Sequence, residues 1–173
     1  MNKRPCVFLD RDGVLNYDRG DYSWLSEHFK LIPESMEALG ELKKLNIPIV
    51  VITNQAGISK GLYTTAEMNN CHRILQENCD HAIDHFYYSP YHPTRTRSIS
   101  RKPGSLMFER AIEKYNCDTE RSWMVGDKER DLVPAKKLGI QTILIGSDPS
   151  SVYDYKVKDL MEAAALISSN LGS

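Results

Sequence analysis

Apolar residues along this chain fall into two kinds of block that take turns. Short, mostly apolar runs occur at residues 7–9, 49–52, 83–88, 123–125 and 142–145. They read as strands, and the continuous β-branched run at 49–52 as one buried on both faces. Longer stretches with helical spacing lie between them. Residues 34–46 carry Met36, Leu39, Leu42 and Leu45 roughly on one stripe, with Asn46 as the stop. A helix from Thr64 to about Cys79 opens on the capping-box pair Thr64 and Glu67. Another, from Gly104 to about Tyr115, sets Phe108, Ala111, Ile112 and Tyr115 at i, i+3, i+4 and i+7. A fourth stops at Gly139, and a last one covers 159–171. Alternating strands and helices imply an α/β fold, a parallel sheet covered on both faces.

In such sheets ligands sit outside the carboxyl ends of the strands. Polar residues cluster there. Asp10, Asp12 and Gly13 follow the first strand, and Thr53 and Asn54 the second. Arg101 and Lys102 stand one loop beyond the third, and Gly126, Asp127 and Asp131 leave the fourth. Taken singly, each has an ordinary explanation: a turn, a solvated charge, or, for Asp131, a helix cap. Taken together they predict one pocket. The stretch from Pro149 to Tyr155 has no assigned role.

The 173 residues suit one domain, 1–173, with a real core. A net charge of −1 gives no pull toward nucleic acid or an anionic membrane, so an anion site must be built locally. Met1-Asn2-Lys3-Arg4 is basic, but the apolar run after it breaks at Asp10, too soon for a signal peptide. No stretch approaches the ~20 apolar residues of a membrane span. Cys6, Cys71, Cys79 and Cys117 form no C-x-x-C pair and read as buried free thiols. A cytoplasmic protein is expected, of unreadable oligomeric state.

Two carboxylates one residue apart suit Mg2+ and a phosphate monoester. Asp10 is the candidate nucleophile, forming an aspartyl-phosphate. Asp12 is the candidate general acid and then base. Asp10, the Asp12 carbonyl and Asp127 are the candidate Mg2+ ligands. The Thr53 hydroxyl, the Asn54 backbone N–H and Lys102 are expected to hold the phosphoryl oxygens, with Asp131 orienting Lys102.

The order D-x-D-G, T, K, G-D-x-x-x-D resembles the haloacid dehalogenase (HAD) superfamily of phosphohydrolases. The stretches 7–14, 53–58, 101–104 and 125–128 look like its heptose-1,7-bisphosphate 7-phosphatase branch, with histidinol-phosphate phosphatases as sisters. The likeness runs from about Val7 to Ile145. It implies a three-layer α/β/α sandwich with strand order 5-4-1-2-3 and hydrolysis of a sugar bisphosphate. It also implies substrate contacts by Arg11, Arg19, Gly20, Asp21, Tyr22, Asn54, Arg101 and Lys128.

That branch usually carries a zinc loop with a Cys-x-His and a Cys-x-Cys pair. The matching positions here are Ser89-Pro90-Tyr91 and Ser98-Ile99-Ser100. Hydroxyls are poor zinc ligands, and His92 alone cannot make a tetrahedral site, so no zinc is expected and His92 reads as a surface residue. Only 42 residues separate Asp10 from Thr53 and 48 separate Thr53 from Lys102, which leaves no room for an inserted cap domain. A receiver-like phospho-acceptor module is the competing reading from another class. Against it, Thr53 stands where a receiver's acceptor would be. A degenerate scaffold is the third reading, and the intact catalytic positions oppose it.

Overall fold

The computed structural model describes residues 3–149 and 151–172. Met1, Asn2, Ser150 and Ser173 lie outside the described residues. So the basic start is followed only from Lys3, and the segment from Pro149 to Tyr155 is followed without Ser150.

Six parallel strands form one sheet: β1 Val7–Leu9, β2 Ile49–Asn54, β3 His85–Ser89, β4 Trp123–Gly126, β5 Gln141–Ile145 and β6 Tyr155–Val157, in the order β3-β2-β1-β4-β5-β6. The first five follow the expected order. The sixth strand was not expected. Tyr155-Lys156-Val157 is too short and too exposed to show a buried-strand pattern. It is held beside β5 by Asp154, whose Oδ2 accepts from the backbone N–H and hydroxyl of Thr142. That gives residues 151–155 a role as the approach to an edge strand.

Strand alternation divides the core into two layers. Val7, Leu9, Val51, Val125 and Ile143 face one side, where α1 Pro33–Lys43, α2 Thr65–Asn78 and α5 Leu160–Leu171 pack. Phe8, Val50, Ile52, Met124 and Leu144 face the other, against α3 Leu106–Tyr115 and α4 Glu129–Lys137. Each fully buried Leu, Ile or Phe in these layers contributes about 1.5–3 kcal/mol. Thr64 caps α2 with the expected reciprocal bonds to Glu67. None of the connections among the described residues carries an inserted domain. No described helix is long and apolar enough to cross a membrane.

Two of the four cysteines depart from expectation. Cys6 and Cys117 are joined as a disulfide, with Cα atoms 5.9 Å apart. They are 111 residues apart in the chain, and only the placement of the end of α3 beside the entry to β1 brings them together. Cys71 and Cys79 are buried free thiols, as expected.

Candidate active site

β1 and β4 are neighbours, yet the chain reaches them from opposite directions of the strand order. Their carboxyl ends therefore open a crevice at the point where the order reverses. Asp10 leaves β1 there and Asp127 leaves β4.

Alternation decides which way each residue of the first loop points. Asp10 follows the parity of Phe8, toward α3 and α4. On that side Lys102 approaches from the loop before α3, and Asp131 from the first turn of α4. Lys102 Nζ lies 2.7 Å from Asp10 Oδ1 and 2.8 Å from Asp131 Oδ1, and also donates to the Ile52 carbonyl at 2.6 Å. Arg11 N–H donates to the same Asp10 oxygen at 2.8 Å. Asp10 Oδ2 has no hydrogen bond among the described residues. Asp131 is the N3 residue of α4, not its cap: its Oδ2 accepts from the Lys128 N–H at 3.1 Å while Oδ1 faces Lys102.

Two glycines permit this crowding. A Cβ on Gly13, whose φ is +88°, would run into the Asp127 carboxylate, and one on Gly126 into Asp131. Asp127 Oδ2 lies 3.2 Å from Lys128 Nζ, while its Oδ1 is buried with no partner. Candidate ligand atoms of Asp10, Asp127 and Asp131 lie within 4.8 Å of one another. Burial pushes the Asp10 carboxyl up to about 7, helped by the Asp131 charge and opposed by Lys102. Burial also raises Asp127, and Asp10 adds to it. An orphaned buried oxygen beside mutually repelling carboxylates fits a hard divalent cation, which would supply both a bond and the missing positive charge.

Arg11 has the opposite parity and points toward α2. Its guanidinium is 1% exposed, lies over Phe29, and stands 3.4 Å from His72 Nε2. Nη2 donates to both Asp12 oxygens, at 2.9 and 3.1 Å, and to the Ser23 carbonyl at 2.9 Å. Nη2 thereby holds Asp12 and the chain at Ser23, and Arg11 itself also lines the cleft that lies above. Asp12 also accepts from Asn16 and from Gln55 Nε2, at 2.9 and 3.1 Å. Burial pushes Asp12 up, but Arg11 and these donors outweigh it and hold the carboxyl below its ordinary value.

Above lies a cleft of about 370 Å³, floored by Asp12, Asn54 and Gln55. Gly20, Asp21 and Tyr22 border it, with Arg101 and Lys128. Arg19 does not line it and lies 3.8 Å from Asp21. Asn54 faces the cleft, but its side chain is bound to the Lys102 backbone in both directions, at 3.0 and 3.1 Å, which fixes the lysine loop. Thr53 is fully buried, and its Oγ1 accepts from Gln55 Nε2 at 2.9 Å. His92 is a surface residue at the edge of the cleft, and its Nδ1 pairs with Thr94. Sequence reasoning missed Arg130, which lines the cleft from the first turn of α4. Its signal was its place three residues after Asp127. Ser89, Ser98 and Ser100, at the positions of the zinc loop, bond one another through their hydroxyls at 2.8–3.0 Å.

A family model described as HAD-hydrolase-like matches residues 99–171. The D-glycero-beta-D-manno-heptose-1,7-bisphosphate 7-phosphatase of Haemophilus ducreyi is 34% identical over 148 residues, covering 80% of this chain and 81% of that protein. The D-glycero-D-manno-heptose-1,7-bisphosphate 7-phosphatase of Chlorobaculum tepidum is 35% identical over 159 residues, 84% of this chain and 80% of its own. The D,D-heptose 1,7-bisphosphate phosphatase of B. bronchiseptica, solved with magnesium and phosphate, superposes with a TM-score of 0.87 at 26% identity, over 95% of this chain and 98% of that one. With the strand order and the carboxylate–lysine cluster already in place, these likenesses show that the chain belongs to the HAD-like phosphatases, in the family that includes the heptose-1,7-bisphosphate 7-phosphatases.

Proposed function

We propose that this chain, acting as one catalytic unit, is a Mg2+-dependent phosphomonoesterase that works through an aspartyl-phosphate on Asp10, with D-glycero-D-manno-heptose 1,7-bisphosphate as substrate. The observation that carries the reading is the buried Asp10–Lys102–Asp131 chain beside the orphaned Asp127 oxygen. It engages one oxygen of Asp10 and leaves the other free to attack. Asp10 Oδ2 bonds to phosphorus as the ester P–O bond breaks, and Asp12 gives its proton to the departing alkoxide. Asp12 is ionised at rest, and the approach of a phosphate dianion favours the protonated form that this step requires. Asp12 then takes a proton from the water that cleaves the aspartyl-phosphate, releasing phosphate and restoring Asp10. Lys102, the Thr53 hydroxyl and the Asn54 N–H hold the phosphoryl oxygens. Asp10, Asp127 and the Asp12 carbonyl are the residues that would hold Mg2+, which neutralises charge between nucleophile and phosphoryl group when bound.

Arg101 and Arg130 line the cleft close enough for the charge of Arg130 to act on Arg101. Two cations there favour a substrate with a second phosphate over histidinol phosphate, the alternative. The serine hydroxyls at 89, 98 and 100 support a zinc-free loop. A cytoplasmic location belongs to the same proposal.

The test is steady-state phosphate release with Mg2+ present. The expected kcat/KM on the heptose bisphosphate exceeds that on histidinol phosphate at least about tenfold, a difference of about 1.4 kcal/mol. Asp10→Asn is expected to be folded and inactive. A preference for histidinol phosphate refutes the substrate, and turnover by Asp10→Asn refutes the nucleophile.

A further inference from the structure

Tyr63 lines the cleft just before the start of α2 and has no part in the chemistry above. It is 5% exposed, and its ring stacks on Trp24 at 5.8 Å and 12° and tilts against Tyr22 at 6.0 Å. Gly57 has no Cβ where that ring passes. The phenol donates to Gln55 Oε1 at 2.7 Å. Gln55 is 2% exposed, and its Nε2 serves two acceptors at once, Thr53 Oγ1 at 2.9 Å and Asp12 Oδ2 at 3.1 Å.

An amide has an oxygen end and a nitrogen end of nearly equal size, so its direction is set by its partners. With Oε1 turned to Tyr63, both Nε2 hydrogens point at Thr53 and Asp12. Thr53 Oγ1 then accepts, and its own hydrogen is left to be given elsewhere. The reversed amide would draw the Thr53 hydrogen onto Gln55 and remove a donor from Asp12. We propose that Tyr63 is a positioning residue: through the Gln55 amide its phenol directs the Thr53 hydroxyl toward the phosphoryl group and keeps a donor on Asp12. The same ring touches Tyr22 and Trp24, so the loop that borders the cleft is mechanically joined to this relay. The inference rests on the phosphatase reading and adds the element that selects the hydrogen-bond direction.

Tyr63→Phe keeps the ring and removes only the hydroxyl. Inorganic phosphate is titrated calorimetrically with Mg2+ present into the wild type, Tyr63→Phe, Thr53→Val and the double variant, and kcat, KM and thermal midpoint are measured alongside. The expected result is about fivefold weaker phosphate binding and about tenfold lower kcat in Tyr63→Phe, the order of one lost hydrogen bond, with little change in midpoint. In the Thr53→Val background the same change is expected to leave phosphate affinity unaltered, since the hydroxyl it directs is gone. Thr53→Ser keeps a hydroxyl and is expected to restore the sensitivity, and Thr53→Ala takes the place of valine if the valine variant does not fold. Phosphate affinity of Tyr63→Phe equal to wild type overturns the proposal. So does an equal loss from Tyr63→Phe with and without the Thr53 hydroxyl, which would mark Tyr63 as packing alone. A wild-type protein that neither binds phosphate nor releases it from any ester removes the phosphatase reading itself, a result visible before any variant is made.

Discussion

Beneath the cleft, Lys102 Nζ stands 2.7 Å from Asp10 and 2.8 Å from Asp131, and none of the three side chains is more than 5% exposed. On the rim, Arg19 Nε stands 3.8 Å from Asp21, with the side chains 41% and 67% exposed. The two places are built on different physics. Charges taken out of water must be paired and hydrogen-bonded or they cost several kcal/mol each, so every buried partner is committed. Exposed pairs are screened and contribute about 0–1 kcal/mol, so the rim can change its residues with little effect on the fold. The buried cluster is therefore fixed by its own partners, and the rim is free to vary.

The sharpest way to break this contrast is Lys102→Met. It leaves Asp10 and Asp131 facing each other in the interior, and a loss of about 3–5 kcal/mol in urea unfolding is expected together with loss of turnover. A variant as stable as wild type would show that the buried chain is not needed by the fold.

Next comes the cation. Chelation is expected to stop phosphate release with the fold intact. Mg2+ at about 100 times its Kd should raise stability by about 2.7 kcal/mol, read as a rise in thermal midpoint. Asp127→Asn should lose most of that rise. An unchanged midpoint shift in Asp127→Asn would remove Asp127 from the ligand set.

His72 sharpens the comparison through pH. Burial lowers its pKa to about 3, with Arg11 adding to the effect, against 6.5 when exposed. The unfolded chain then binds a proton that the folded one refuses, so stability falls as pH drops below 6.5 toward 3. The loss at about pH 5 is of the order of 2 kcal/mol, and His72→Gln should flatten that limb of a pH–stability curve. An equally steep limb in the variant would assign the acid loss to other groups.

The smallest effects are expected on the rim. Arg101→Ala and Arg130→Ala should each raise KM for a bisphosphate about tenfold, or about 1.4 kcal/mol, with kcat within about twofold. Arg19→Ala should alter unfolding free energy by less than about 0.5 kcal/mol. A fall in kcat from Arg130→Ala would place it with the reacting groups.

Much of the site was legible because its signals are local. Thr64 and Glu67 announce the start of α2, and the change from apolar run to carboxylate marks the end of β1. Strand alternation also held the direction of Arg11, whose parity sends it away from Asp10. Tyr63 and Gln55 carried no signal, because a phenol on an amide is visible only when both are in place. β6 was hidden by its brevity and exposure, and the Cys6–Cys117 disulfide by the chain between its ends.

By itself the sequence determined the elements other than β6, the order of the five strands they build, and the edge at which the acids and the lysine gather. Hydrophobic period and capping act over a few residues, and so they can be read in order along the chain. The tertiary structure alone decided which of those groups touch. Lys102 and Asp10 lie 92 residues apart and meet only because the lysine loop turns inward over β2 to the end of β1. Burial there turns two ordinary charges into a committed pair, and the same charges on the rim remain two solvated side chains.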